Sequence, residues 1–132
     1  MSHDEALEEG TAFTPRFDAA GLIVCVTVEA GTGAVLMVAY MNRAALDATL
    51  ETGAMTYWSR SRNALWRKGD TSGQVQQLVE MRTDCDQDAI VAAVTVGGDG
   101  GACHTGRTSC FYRRVSRAAG AANAAPTLEF VD

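Results

Sequence analysis

The sequence predicts an α+β fold, a strand-dominated single domain with few short helices. Its 132 residues fit one domain, and its 47% hydrophobic content is enough for a packed core. Short β-branched or alternating runs are more frequent along the chain than stretches with helical spacing. We therefore expect a sheet dominated by antiparallel strands, with helices in a minor role.

The individual elements follow from local patterns. A turn at 29–33 lies between two apolar runs and indicates a hairpin. A helix is expected over 43–52, because Asn42 can cap its start and Gly53 can end it. Residues 63–74 are expected to form a loop or the start of a helix. Strands are predicted over 22–28, 35–40, 55–62, 75–82 and 89–96.

The chain divides into three predicted parts. Residues 1–15 form a flexible N-terminal head, residues 16–117 form the domain, and residues 118–132 form a low-complexity tail. The start of the chain lacks the basic and apolar segments of a signal peptide, and no apolar run reaches the length of a membrane span. We expect a cytoplasmic protein that does not bind membranes.

Basic residues are concentrated although the net charge is −5. Eight of the eleven Lys and Arg residues lie within 60–68 and 107–117. The acidic total argues against a nucleic-acid binder, whereas the local clusters indicate a discrete anionic ligand.

Two neighbouring stretches carry side chains suited to phosphate. If 57–62 is extended, arginines share one face and serines the other, and either face can bind phosphate. The stretch 66–73 adds charge, hydroxyls and glycines, although a solvated loop is an equal alternative. The tryptophans could stack on a base or pack in the core. The predicted substrate-binding residues are Trp58, Ser59, Arg60, Arg62, Lys68 and Ser72.

Three aspartates alternate with other residues at Asp84, Asp86 and Asp88. In an extended chain their carboxylates would share one face, with Cys85 on the other. The glycine and glutamate of an EF-hand loop are missing, so that motif is excluded. Because the charges repel one another, a divalent cation such as Mg²⁺ would stabilise the cluster, and a solvated acidic turn is the alternative.

The four cysteines are expected to be thiols or metal ligands, because the chain shows no export signal. Cys85, Cys103 and Cys110 are candidate zinc ligands, although their spacing matches no zinc-finger pattern. His104 could complete a closed site, but we favour three thiolates plus water, which leaves His104 as a proton carrier. A surface histidine is the alternative, and Cys25 is expected in the core.

Taken together, these ordered motifs resemble the phosphoribosyl-AMP cyclohydrolase family. The resemblance covers about residues 17–114 and is carried by residues 37–42, Thr56-Tyr57-Trp58-Ser59-Arg60-Ser61-Arg62, residues 65–73, Asp84-Cys85-Asp86-Gln87-Asp88, residues 102–106 and residues 109–111. It implies a single-function hydrolase of L-histidine biosynthesis, since the residues after Arg117 are too few for the pyrophosphohydrolase domain that is fused there in some organisms.

The resemblance also implies the chemistry. Zinc-activated water would open the adenine ring of 1-(5-phosphoribosyl)-AMP at the N1–C6 bond, giving phosphoribosylformimino-aminoimidazole carboxamide ribotide. The protein would be an intertwined homodimer with one Zn²⁺ per subunit, bound by Cys85 of one subunit and by Cys103 and Cys110 of the other. One Mg²⁺ per subunit would lie at Asp84, Asp86 and Asp88, and His104 would move the proton.

Two other functions compete with this interpretation. A zinc nucleobase deaminase also directs activated water at a ring carbon, but its H-x-E and P-C-x-x-C signature is absent. A non-catalytic zinc-stapled dimer that binds nucleotides would instead have a metal fully coordinated by protein, since hydrolysis requires an open position.

Overall fold

A computed structural model describes residues 3–98, 100–105, 107–116 and 125–131. A six-stranded sheet has the order β4-β3-β2-β1-β6-β5, and β7 and β8 form a separate two-stranded sheet. The elements are α1 (His3–Glu9), β1 (Ile23–Glu29), β2 (Val35–Met41), α2 (Arg43–Thr52), β3 (Thr56–Ser59), β4 (Ala64–Arg67), β5 (Gln76–Thr83), β6 (Ala89–Val96), β7 (Arg113–Ser116) and β8 (Thr127–Phe130). The strand-dominated α+β prediction is confirmed. None of the described helices is long and apolar enough to cross a membrane.

The centre of the large sheet is β1, which pairs antiparallel with β2 and parallel with β6. The other neighbouring strands pair antiparallel, as predicted. Ile23 and Cys25 of β1 pack with Met41 and Ile90 in the core, because alternate side chains of a strand point to the same face. The expected core position of Cys25 is confirmed.

Helix α2 begins and ends where its cap residues predict. The Asn42 side chain accepts a hydrogen bond from the Ala45 amide at 2.9 Å, and Gly53 adopts a left-handed conformation with φ of 77°. Both arrangements satisfy backbone groups that a helix end leaves without partners. The buried face of α2 includes Ala45 and Leu46, which anchors the helix on the sheet.

The sheet curls so that its two ends meet. Ala54, just before β3, forms an isolated bridge with Gln77 of β5. Next to it, the Met55 amide donates to the Gln76 carbonyl at 3.0 Å. These bonds place the start of β5 beside β3 although the two strands lie far apart in the strand order.

One predicted strand ends early, and one predicted loop contains a strand. Strand β3 ends at Ser59, and residues 60–63 form a turn in which Asn63 has φ of 50°. The predicted alternation of arginines and serines therefore does not continue past Ser59. Residues 63–74 do not form one loop or a helix start, because they contain β4.

The acidic segment is also not a strand. Residues 84–88 form a turn between β5 and β6, with Gln87 at φ of 56°. The prediction of two opposite strand faces at Asp84, Cys85, Asp86 and Asp88 was wrong, because the chain reverses direction at this point.

Both terminal regions contain secondary structure that was not predicted. The expected flexible head includes α1, and the Thr14 amide is hydrogen-bonded to the Gln87 side chain at 2.8 Å. The expected tail includes β8, which pairs with β7. Residues 118–124 and 132 of that region lie outside the described part, and the proposed domain boundaries stay predictions.

Candidate active site

A cleft of about 350 Å³ opens beside β4. One wall comes from β4 and the segment after it, and the other from the segment around Cys103. The two segments contact each other where the Gly97 amide, before Cys103, donates to the Val75 carbonyl at 2.8 Å. The lining residues are Arg62, Trp66, Lys68, Gly69, Thr71, Ser72, Gln74, Cys103 and His104.

Lys68 supplies a buried positive charge to this cleft. Its residue is only 7% exposed, and its Nζ atom lies 5.7 Å from the ring centroid of Trp66. The four ion pairs of the described residues do not involve Lys68. Its neighbour Arg67 behaves differently, since it faces Asp70 at 2.7 Å. The cleft therefore contains an ammonium group that no described carboxylate neutralises.

The loop after Lys68 requires glycine. Gly69 has φ of 93°, and a Cβ atom there would lie 2.3 Å from the Val75 amide nitrogen. The Gly73 amide closes the turn by donating to the Gly69 carbonyl at 2.8 Å. This tight turn presents the hydroxyl-bearing side chains of Thr71 and Ser72 to the cleft.

Cys103 and Cys110 lie side by side although six residues separate them. Their side chains are hydrogen-bonded to each other. The Cys103 amide donates to the Arg107 carbonyl at 3.0 Å, and the Cys110 amide donates to the Leu36 carbonyl at 2.7 Å. Backbone bonds at both ends therefore hold a thiol pair at the edge of the large sheet.

The two thiols have opposite pKa shifts. Burial opposes ionisation of Cys103, but hydrogen bonds from Thr105 and Cys110, together with the Arg107 guanidinium, hold its pKa below the ordinary value. Burial and the adjacent Cys103 sulfur raise the pKa of Cys110 to about 11. Thiolates are preferred ligands of soft cations, and such a cation bound between the two sulfurs would displace both protons.

Cys85 is located elsewhere in the subunit. It is exposed and lines a separate groove of about 470 Å³ together with Leu7, Phe13 and Met81. Among the described residues, the only group of three candidate ligands with atoms within 4.8 Å of one another is the aspartate group. Neither Cys85 nor His104 therefore joins Cys103 and Cys110 in a three-ligand group within the described chain.

The aspartate group is compact because its turn is hydrogen-bonded. The ligand atoms of Asp84, Asp86 and Asp88 lie within 4.8 Å of one another. The Asp84 carboxylate accepts from the amides of Asp88 and Ala89 at 3.0 and 3.1 Å. Slight burial opposes ionisation of Asp84, but its hydrogen bonds lower its pKa, whereas hydrogen bonding to Asp86 and Asp84 raises that of Asp88. Oxygen ligands in this arrangement fit a hard divalent cation.

Gln87 supports this turn and was not singled out by the sequence. It is only 5% exposed, and its side-chain amide donates to the Leu7 carbonyl at 3.0 Å. Its own carbonyl accepts from the Arg16 amide at 2.7 Å. Gln87 thus attaches the N-terminal segment to the acidic turn, a role that depends on distant contacts and leaves no local pattern.

The predicted site residues fall into two groups. Arg62, Lys68, Ser72, Cys103 and His104 meet in the cleft. The remaining predicted substrate contacts lie outside it: Trp58 is opposite Leu65 in the sheet, Ser59 accepts from the Arg62 amide, and the Arg60 guanidinium stacks 4.1 Å from the Tyr40 ring centroid. Gln74, which lines the cleft, was not predicted, although it directly follows the glycine-containing loop.

A cleft that combines cations, hydroxyls, a histidine and a thiol within a strand-dominated domain is characteristic of a small α+β hydrolase. The sequence model described as phosphoribosyl-AMP cyclohydrolase matches residues 37–112. The chain belongs to the phosphoribosyl-AMP cyclohydrolase family, which confirms the resemblance seen in its motifs.

Curated relatives support the same conclusion over most of the chain. A phosphoribosyl-AMP cyclohydrolase of Brucella anthropi is 62% identical over 114 residues, covering 86% of this chain and 81% of the relative. That of Brucella canis is 60% identical over 119 residues, covering 90% and 86%. That of Nitrobacter hamburgensis is 62% identical over 119 residues, covering 90% and 80%.

Proposed function

We propose that this protein hydrolyses phosphoribosyl-AMP at the N1–C6 bond of its adenine ring and yields phosphoribosylformimino-aminoimidazole carboxamide ribotide in histidine biosynthesis. The observation that carries the proposal is the cleft in which Lys68 and Arg62 meet Cys103 and His104. Lys68 and Arg62 supply the positive charge that binds a phosphorylated ligand. Cys103 and His104 supply groups of the kind that hydrolysis uses. The names of the relatives supply the substrate.

Lys68 and Arg62 would bind one of the two substrate phosphates, with Ser72 and Thr71 donating from their hydroxyls. The low exposure of Lys68 strengthens this attraction, because a charge pair is weakly screened away from water. Trp66 limits the space beside the ammonium group. Trp58, Ser59 and Arg60 stay predicted contacts, and they would meet parts of the substrate that extend beyond this cleft.

The thiol pair fits a zinc ion, since thiolates are its preferred soft ligands and the pKa of Cys103 is lowered, mainly by hydrogen bonds that oppose the effect of its burial. Zinc bound by Cys103, Cys110 and Cys85 of a second subunit would supply activation of the attacking water. Such a site would be open, with three protein ligands, as a catalytic site requires.

His104 would move the proton of the reaction. Addition of water at C6 and cleavage of the C6–N1 bond convert C6 into a carboxamide carbon, and N1 leaves with one proton. His104 is exposed and lines the cleft, so its imidazole can exchange protons with water between turnovers. An imidazole is suited to this task because its ordinary pKa lies near neutral pH.

Mg²⁺ would bind at Asp84, Asp86 and Asp88, where it would neutralise the carboxylates and orient a phosphate or ribose oxygen. The hydrogen bonds from the amides of Asp88 and Ala89 already hold Asp84 in place. Binding therefore requires little rearrangement of the turn.

A homodimer would complete the zinc site. Cys85 is exposed at an apolar groove, apart from the thiol pair of its own subunit. Phe111, directly after Cys110, is 56% exposed. A second copy would cover such apolar surface and bring the cysteines of two subunits together.

The test is a turnover assay with purified full-length protein, Zn²⁺, Mg²⁺ and phosphoribosyl-AMP, in which absorbance reports the ring-opened product. Lys68→Met should raise KM about 10- to 100-fold, the effect of losing a charged hydrogen bond. Arg67→Met is the matched control, because Arg67 is exposed and already paired with Asp70, and it should change KM little. Absence of turnover in zinc-loaded protein would overturn the proposal.

A further inference from the structure

The C-terminal strand β8 lies outside the segment that matches the family, which ends at Tyr112. Its pairing with β7 is regular, with Arg113 opposite Phe130 and Val115 opposite Leu128. The Val131 amide extends the contact by donating to the Tyr112 carbonyl at 3.0 Å. These bonds attach β8 to residues 112–116, which directly follow the segment that carries Cys103 and Cys110.

An aromatic and cationic stack joins β8 to that segment. The rings of Tyr112 and Phe130 are stacked with centroids 6.2 Å apart and an interplanar angle of 15°. The Arg107 guanidinium lies 4.1 Å from the Tyr112 centroid and 5.5 Å from that of Phe130. A guanidinium within about 6 Å of ring centroids is attracted by the negative ring faces.

Arg107 is also part of the connection between the two cysteines. Its carbonyl accepts from the Cys103 amide at 3.0 Å, while its side chain contacts Tyr112, two residues beyond Cys110. The backbone of Arg107 therefore restrains Cys103, and its side chain restrains the chain next to Cys110. Phe130 completes this stack from a distant part of the sequence.

We propose that β8 clamps the cysteine-bearing loop in place, with Phe130 and Arg107 acting as positioning residues for Cys103 and Cys110. The clamp rests on the proposed function only in the claim that the positioned thiols serve hydrolysis. The geometric part, that Phe130 restrains the loop through Arg107, is independent of the reaction.

The first test is amide hydrogen exchange of the full-length protein by mass spectrometry. Phe130→Ala should accelerate exchange at Ala102 and Cys103 about two- to tenfold, since an exposed cation–π contact and its packing are lost. Leu128→Ala is the matched control, because Leu128 is an exposed apolar side chain of the same strand without a ring contact to Arg107. The Leu46 amide, which bonds the Asn42 carbonyl in α2, should be unchanged in both variants.

The second test separates the clamp from a general loss of stability. Arg107→Ala keeps the carbonyl that Cys103 uses and removes the guanidinium, with its contacts to Tyr112 and Phe130 and its charge beside Cys103. In hydrogen exchange, its effect and that of Phe130→Ala should be less than additive in the double variant, because both remove the contact between Arg107 and Phe130. Phe130→Tyr should restore protection, since it retains the ring.

The third test measures turnover of phosphoribosyl-AMP by the same variants. Phe130→Ala should lower kcat about two- to tenfold with KM nearly unchanged, because Lys68 and Arg62 lie on other elements. Equal exchange in Phe130→Ala and Leu128→Ala, or additive single effects, would overturn the clamp, and faster exchange without a change in kcat would overturn its role in positioning the thiols for hydrolysis. If wild-type protein shows no turnover, the proposed function fails, while the exchange comparison still decides the geometric part.

Discussion

The Tyr57 hydroxyl donates a hydrogen bond of 2.6 Å to the Gln76 Oε1 atom inside the curled sheet. The same hydroxyl lies 2.8 Å from Thr27 Oγ1, and Gln76 Nε2 donates to the Met37 sulfur at 3.3 Å. Tyr57, Thr27 and Gln76 are fully buried. This polar chain crosses the core, and burial strongly raises the pKa of Tyr57. The Tyr57 ring also packs 5.4 Å from Trp66 of the cleft.

Tyr57→Phe should lower the free energy of unfolding by about 1–3 kcal/mol, because Gln76 and Thr27 would lose a buried partner. Urea denaturation followed by circular dichroism measures the change. Tyr40→Phe is the control, since no described hydrogen bond uses the Tyr40 hydroxyl, and it should have a much smaller effect. Equal losses in the two variants would mean that the buried chain contributes nothing specific.

Stability should fall at high pH partly through Cys25. Burial raises the pKa of this thiol to about 11 from 9.0, against a weak opposing hydrogen bond to Thr27. The unfolded chain then releases its proton first, so the contribution is complete below pH 9 and is lost as the pH rises toward 11. At about 1.4 kcal/mol per pKa unit, the loss is roughly 2–3 kcal/mol.

The measurement compares wild type with Cys25→Ala by urea denaturation across that range. Other groups that titrate there occur in both proteins and cancel in the difference, apart from Tyr57, whose pKa is raised mainly by burial and further by Cys25. The stability advantage of wild type should shrink as the pH rises from 9 to 11. A constant difference would contradict the assignment to Cys25.

The helix and the central strands were predictable because their signals are local. Asn42 and Gly53 act within one turn of α2, and the apolar runs of β1, β2 and β6 have no competing pattern. By contrast, Asn63 and Gln87 turn the chain with positive φ, a conformation that non-glycine residues adopt only with support. For Gln87 that support comes from Leu7, Thr14 and Arg16, which no local window contains.

Several residues of the cleft could be predicted from the sequence, but the fact that they lie together in one cleft could not. Lys68 and His104 line one cleft although they lie in distant parts of the sequence. Strand β8 was missed for a different reason. Its four residues follow an alanine-rich stretch, and its pairing partner β7 is basic rather than apolar.

Asp86→Asn should weaken Mg²⁺ binding at the acidic turn. The three carboxylates concentrate negative charge within 4.8 Å. Asp86 can be replaced without removing the amide bonds that shape the turn, because both of them go to the Asp84 carboxylate. Chelator-treated wild type should gain thermal stability as Mg²⁺ is added, as expected for a ligand that binds the folded state. The Asp86→Asn variant should lose most of that gain in thermal stability. The Asp47→Asn variant is the control and should retain it, because Asp47 is an exposed carboxylate on α2, outside the acidic turn. Equal gains in all three proteins would exclude the site.

His104→Ala should keep the zinc stoichiometry of wild type and lower kcat by about 10²–10⁴-fold, the range of a general acid–base group. Atomic emission measures the metal and the absorbance assay measures turnover. The physical reason is that His104 lines the cleft without joining Cys103 and Cys110 in a ligand group. Loss of zinc in this variant would instead make His104 a ligand.

Mixing Cys85→Ser with Cys103→Ser should restore part of the activity that each variant lacks. In a mixed dimer, one of the two zinc sites would draw all its cysteines from intact positions, if the site is shared between subunits. Cys103→Ser mixed with Cys110→Ser is the control, because both replacements affect the same subunit's share of the site, so each zinc site of the mixed dimer lacks one cysteine and activity should not return. Failure of the first mixture, with mixed dimers verified by native mass spectrometry, would place each zinc site within one subunit.

The parallel pairing of β1 with β6 sets the order in which the protein can be built during synthesis. Val24 pairs with Ala89, and the partner strand emerges from the ribosome only after both hairpin β1–β2 and helix α2 are complete. Until then, β1 presents an unpaired edge with apolar side chains, the condition under which nascent chains associate wrongly. Long-range pairing of this kind also slows folding. The middle of the large sheet is therefore paired on both sides only after the last strand of that sheet has been synthesised.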